Sequence, residues 1–197
     1  MAKARTVRSL FFVLVLLSPL TLSADGVVGS RSQQCPRMPS MTAERACSAV
    51  SGTRLMRGLC LRTLRAGGAA VPVTLHAAAA VRVALDSYAA TVAAATSLIE
   101  GGAVPADDEK AAYERCMVGY DRARGAMARV ADDLAAGACG RAAELKAGYT
   151  DGLRGMDGCW RGLLNYPASP LYARNLADRN NTLLAALLCN LVPAPPA

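Results

Sequence analysis

The chain has 197 residues, 53% hydrophobic but only 5% aromatic, with 22 Lys+Arg against 15 Asp+Glu, one His and seven Cys. Abundant alanine with few aromatics and almost no β-branched runs excludes a sheet-built fold and favours helices throughout. One histidine and no closely spaced cysteine pair exclude an ordinary zinc site, so no metal and no cofactor is expected.

Lys3, Arg5 and Arg8 precede an apolar run from Leu10 to Leu22, broken by Ser18, Pro19 and Thr21, and small residues follow at Ser23, Ala24 and Gly26. That layout is a secretory signal peptide over residues 1–24. The run falls short of the ~20 apolar residues a spanning helix needs. No second long apolar run follows, so the mature protein is expected outside the cytosol with no membrane contact. Loss of the three basic leader residues leaves 19 basic against 15 acidic side chains. Charge of that size speaks to solubility and to loose attraction for an acidic polysaccharide, not to fold. Roughly 170 remaining residues suit one domain.

Residues 25–40 mix Gly, Ser, Pro and Gln without period and read as a flexible lead-in. A short helix begins at Thr42 and stops near Ser51-Gly52. A second runs from about Thr53 to Arg65 and ends at Gly67-Gly68, and the two form a helical hairpin. Arg54, Arg57, Arg62 and Arg65 fall within roughly 140° of helical arc. With no aromatic residue among them, a solvated face is expected and nucleic acid is not.

Four longer helices follow. The first carries a one-face stripe of Val81, Leu85, Tyr88, Val92, Ala95 and Ile99 and stops at Gly101-Gly102, where a left-handed cap costs little. Asp107 is the expected N-cap of the second, whose stripe is Cys116, Tyr120, Ala123, Met127, Val130 and Leu134. The third, near 140–163, carries Leu145, Tyr149, Met156, Trp160 and Leu163. Gly148, Gly152 and Gly155 weaken it by roughly 1 kcal/mol each relative to alanine. Ser169-Pro170 opens the last helix, which runs to about Leu191 before a Pro-rich tail at 193–197. Four amphipathic helices with short links make an all-α, up-and-down four-helix bundle preceded by the hairpin, spanning 41–192.

Secretion makes disulfides the default state of the cysteines. Cys47 and Cys60 stand on opposite arms of the hairpin, where a bridge clamps two helices too short to be stable alone. Cys116 and Cys159 lie at similar heights on neighbouring antiparallel helices and form the second expected bridge. Cys35, Cys139 and Cys189 fall toward the opposite end of the bundle. Cys35–Cys189 is the preferred third bridge, which leaves Cys139 over.

Candidates for chemistry are few. His76 has no nucleophile or carboxylate motif to work with and reads as an ordinary helix residue. The carboxylates at Asp107-Asp108-Glu109 are explained by capping, and those at Asp132-Asp133 point apart on a helix. No catalytic residue is assigned. Asn180-Asn181-Thr182 is an N-glycosylation sequon. Asn180, however, shares a wheel position with Leu176, Leu183, Leu184 and Leu187, which reads as a buried asparagine on the inward stripe. Trp160 reads as packing around the second bridge.

From about Thr42 to Val192 the chain resembles the plant invertase and pectin methylesterase inhibitor family. The resemblance is carried by Cys47 and Cys60 on a hairpin, "ERCMVGYDRA" around Cys116, "GMDGCWRGL" around Cys159, "SPLYARN" opening the last helix and "LLAALLCNLV" finishing it. It implies pairing of Cys47 with Cys60 and Cys116 with Cys159. It also implies a secreted inhibitor, in the apoplast or cell wall, that binds a carbohydrate-active enzyme one to one and performs no chemistry itself. Pectin methylesterase is the expected partner and cell-wall or vacuolar invertase the alternative. In such complexes the second and third bundle helices cover pectin methylesterase, whereas the segment entering the third helix reaches the invertase sugar site. Here that segment reads Gly137-Ala138-Cys139-Gly140-Arg141, without the Pro-Lys-Phe of invertase inhibitors, and Gly158 stands where pectin methylesterase inhibitors often have threonine. The expected contact residues are Glu114, Arg115, Asp121, Arg122, Arg154 and Asp157. A helical lipid carrier is a rival class, but its adjacent cysteine pair and C-x-C are absent. A signalling bundle without inhibitory activity is another.

Overall fold

Two threonines start the helical hairpin. Thr42 Oγ1 accepts the Arg45 amide at 3.3 Å and Thr53 Oγ1 accepts that of Met56 at 3.2 Å. Each satisfies an amide that the first helical turn leaves without a partner. The structure, a computed structural model, describes residues 37–65, 67–102, 107–138 and 140–194. The expected signal peptide, most of the lead-in, Cys35 and Cys139 lie outside the described residues.

In chain order the elements are β1 Ser40–Met41, α1 Ala43–Val50, α2 Arg54–Leu64, β2 Val71–Pro72, α3 Val73–Glu100, α4 Asp107–Ala135, α5 Ala142–Leu163 and α6 Pro170–Cys189. Cys47 and Cys60 join α1 to α2 with their Cα atoms 5.6 Å apart. The left-handed turn that ends α2 falls on Arg65, at φ 45°, ahead of the expected Gly67-Gly68.

The short β1–β2 ladder carries no sequence signal, because two residues per strand are too few for an alternating pattern. It pairs antiparallel, Ser40 opposite Pro72 and Met41 opposite Val71. His76 reinforces it. This buried α3 side chain donates from Nε2 to the Met41 carbonyl at 2.9 Å, so the ordinary helix position is a tie between bundle and ladder.

The four long helices close a ring in which α3 meets α4, α4 meets α5, α5 meets α6 and α6 meets α3. By length and composition α3 is apolar enough to span a membrane, contrary to the expectation of no second such run. Val73, Ala77, Val81, Ala84, Tyr88 and Ala95 nevertheless turn one side of it into the bundle core. That seam is rotated from the expected stripe: Leu85, Val92 and Ile99 sit at its margin, half-buried, while the small residues face inward. On α4 all six stripe residues are buried. Asp107 is the first helical residue rather than the cap, with Asp108 and Glu109 beside it at the positive end of the helix.

The α4–α5 contact is the tightest. Cys116 and Cys159 bridge it with Cα atoms 4.2 Å apart. A Cβ placed on Gly119 would stand 2.7 Å from the Gly155 carbonyl oxygen, and one on Gly155 would stand 2.5 Å from that of Gly119. One on Gly148 would meet Val130 at 2.5 Å. The glycines that cost helix propensity in α5 are therefore what lets its backbone approach α4.

The opposite side of the core is polar. Asp178 on α6, 1% exposed, accepts from Ser87 Oγ of α3 and from the Tyr120 hydroxyl of α4 at 2.6 Å. Tyr88 bonds Thr182, whose hydroxyl also donates to the Asp178 carbonyl at 2.7 Å. The Tyr88 and Tyr120 rings meet edge to face, centroids 5.8 Å apart. Burial, offset only in part by the Thr182 hydrogen bond, raises the Tyr88 hydroxyl above its ordinary value. Burial and the Asp178 charge raise that of Tyr120.

This polar seam corrects the expectation for α6. Its buried residues include Leu171, Asn175, Asp178, Thr182, Ala185 and Cys189 together with Leu184 of the expected stripe, whereas Leu176 is exposed and Leu183 and Leu187 are half-buried. Asn180 is half-buried, and the buried asparagine of this helix is Asn175. Cys189 is an unbridged buried thiol, so the expected Cys35–Cys189 bridge is not made. It lies on the inward face of α6, covered by the bundle, and that burial pushes its thiol up to about 12.

Candidate docking face

The α4–α5 pair presents an outward face that flanks its glycine seam. Along α4, Glu114, Arg115, Val118, Asp121 and Arg122 are all exposed, and the helical 100° step places them on one side. Val118, 71% exposed, sits at the middle of that arc as an apolar residue among charges. It carried no sequence signal, because a single valine inside an otherwise regular helix does not break the apolar count.

Register across the pair follows from the bridge. Moving from Cys116 to Gly119 to Arg122 on α4 corresponds to moving from Cys159 to Gly155 to Asp151 on α5. Arg122 and Arg154 therefore converge on one carboxylate, Asp151, at 3.3 and 3.1 Å. The hydrogen bond from Arg154, with help from Arg122, holds the Asp151 carboxyl below the usual carboxylate range. Exposed pairs of this kind contribute little stability, but they fix the shape of the surface.

The other expected contact residues are placed differently. Asp121 pairs with Arg124 within one turn of α4 at 3.3 Å. Asp157 is drawn to the α6 side, where Arg179 Nε reaches it at 2.5 Å and the Arg179 guanidinium lies 5.7 Å from the Trp160 ring centre. Trp160 is thus half-buried under a cation instead of packed wholly around the bridge.

Beside Asp151 the face opens into a cleft of about 350 Å³ lined by Arg129, Asp132, Asp133, Arg141 and Glu144. Arg141, at the entry to α5, holds the nearly buried Asp133 at 2.9 Å. The loop before it turns through left-handed Gly137, Ala138 and Gly140, and Ala138 is buried. Arg129 and Glu144 were missed in the sequence, and Asp132, Asp133 and Arg141 were read there without being brought together. The signal that would have found them was the small-residue spacing of α5, which implies close approach to α4 and a grooved flank. Among the described residues no cluster of three metal-ligating side chains occurs.

Two solved structures share this architecture. Mutant form A of a pectin methylesterase inhibitor from Arabidopsis matches with a TM-score of 0.65 and 18% identity, over 77% of this chain and 97% of that one. A pectin methylesterase inhibitor from Arabidopsis thaliana matches with a TM-score of 0.57 and 21% identity, over 78% and 99%. The fold is that of the pectin methylesterase inhibitors. No protein-family model and no curated protein sequence matches the chain, so the likeness rests on the backbone. Within this inhibitor fold the hairpin, the four-helix ring and the two bridges are the framework on which the α4–α5 face is displayed.

Proposed function

We propose that this protein is a secreted inhibitor that binds pectin methylesterase one to one and blocks its active-site cleft, without chemistry of its own. The observation that carries this reading is the outward α4–α5 face. It stands on the most closely packed pair of helices, with Val118 as an apolar centre and Arg122, Asp151 and Arg154 preset around it. A rigid surface with a desolvatable centre and a charged rim loses little freedom on binding. Two disulfides support an oxidising compartment, consistent with an extracellular, cell-wall location.

Invertase is the weaker target. The segment entering α5, which would have to reach a sugar site, is instead tied down by buried Ala138 and by the Arg141–Asp133 pair.

Titration of the purified protein into a pectin methylesterase and into an acid invertase at cell-wall pH tests this reading. Loss of methylesterase activity at one equivalent, with invertase untouched, is the expected result. Combined V118E, R122E and R154E substitutions should weaken inhibition at least tenfold while leaving the circular dichroism unchanged. Undiminished inhibition by that variant discards the face.

A further inference from the structure

The charge of this molecule is not spread evenly. Residues 37–65, which hold the α1–α2 hairpin, carry six arginines against the single acid Glu44, whereas residues 67–194 carry twelve basic against thirteen acidic side chains. The bundle is close to neutral and the hairpin holds the excess. On α2, Arg54, Arg57 and Arg62 are exposed within one arc of the helix that leaves out buried Cys60, and exposed Arg65 follows at the cap. Together they extend over about 16 Å of helix at 1.5 Å per residue. The Arg62 guanidinium folds back along the helix, with Nη1 3.3 Å from the Cβ position of Gly58, a residue whose missing side chain leaves room between Arg54 and Arg62. Among the described residues the ion pairs are made by Arg122, Arg124, Arg141, Arg154 and Arg179, and the α2 arginines take part in none of them.

We infer that the arginine face of α2 is a docking surface for a linear polyuronate, a polysaccharide whose sugar units carry free carboxylates. The choice of polymer rests on the methylesterase reading. That reaction turns neutral methyl esters into carboxylates, so the product of the inhibited enzyme is the polyanion that this face fits. A row of guanidiniums suits repeated carboxylates, each pairing with fixed fork geometry. The hairpin contains no Phe, Tyr or Trp on which a nucleic-acid base would stack. The α2 face and the α4–α5 face are different surfaces, so polymer and enzyme can be held together. Inhibitor retained on de-esterified polymer would restrain the enzyme where its reaction has already advanced.

The test uses the intact protein and affinity electrophoresis at about pH 5.5 through gels holding polygalacturonate or the same polymer fully methyl-esterified. The expected result is retention by polygalacturonate alone, weakening about tenfold between about 50 and about 200 mM salt as counterion release requires. The triple variant R54Q, R57Q and R62Q should lose at least tenfold in retention while keeping its thermal midpoint and its inhibition of methylesterase. Equal retention by the esterified polymer, or retention unaffected by the triple variant, overturns the inference. So does tighter binding to single-stranded DNA or to phosphatidylserine vesicles. A protein that binds polygalacturonate but inhibits no methylesterase keeps this inference and removes the inhibitor reading; the reverse pattern does the opposite.

Discussion

The helices α4 and α5 are joined in one way, and α6 is joined to α3 and α4 in another. Between α4 and α5 there is a covalent bridge, and side chains are omitted at Gly119 and Gly155 so that backbone meets backbone, and at Gly148 so that Val130 can seat against it. Around α6 the contact is made by long polar side chains that meet in the core, with Asp178 accepting from Ser87 and Tyr120. The first contact fixes distance and register. The second fixes which face of α6 turns inward, because a buried carboxylate without its donors is costly. The docking face stands on the first kind of contact, so its side chains inherit a rigid base.

Either kind of contact can be disrupted by substitution. The largest effect is expected from replacing Cys116 and Cys159 together by alanine. Opening a loop of sequence separation 43 should cost about 4 kcal/mol, read as a lower urea midpoint. G155A comes next, at about 3 kcal/mol, since its Cβ would meet backbone oxygen that cannot move aside. G158A is the control: nothing lies within 4 Å of its Cβ, so it should stabilise the helix by up to about 1 kcal/mol. If both alanines behave alike, close approach is not what the α5 glycines provide.

On the polar side, D178A should cost about 2–3 kcal/mol by stranding the Tyr120 and Ser87 hydroxyls, and Y120F about 1 kcal/mol. The double variant should fall short of their sum, because both remove one hydrogen bond. Additive losses would mean that Tyr120 and Asp178 act separately.

The smallest effect at neutral pH concerns ionisation. Burial pushes Cys189 from its ordinary 9.0 up to about 12, and Tyr88 and Tyr120 are also raised. Above pH 9 the unfolded chain releases protons that the folded chain retains. Stability is therefore fully present below about pH 9 and falls as pH rises toward 12. Urea midpoints measured from pH 7 to 11 should show that slope, and C189A should reduce it. Native Cys189 should likewise resist iodoacetamide at pH 8 until the protein is unfolded; rapid labelling of the folded protein would contradict its burial.

Much of this was legible in the chain. The α4 stripe from Cys116 to Leu134 could be read residue by residue, because that helix faces the core with a regular apolar step and its neighbours require nothing else of it. The same method misread α6. It collected leucines at 176, 183, 184 and 187, of which only Leu184 is buried, while the face that turns inward also holds Asn175, Asp178 and Thr182. Periodicity assumes that buried means apolar, and the hydroxyls that make this polar seam stable come from α3 and α4, more than fifty positions away. Cys189 was misjudged for a related reason: its place on that inward face was not visible, so it was assigned a partner.

An all-helical chain, the order of its helices, a hairpin ahead of a bundle, and cysteines placed to brace both can all be read from the residues in line. These depend on local terms: propensity, capping, and spacing along one helix. How near α4 comes to α5, which side of α6 is buried, where the arginines of α2 stand relative to the rest of the charge, and that Val118 lies open at the centre of a rigid face emerge once the helices are packed together. Each of those is set by what another helix presents across the gap, and no window along a single segment contains that partner.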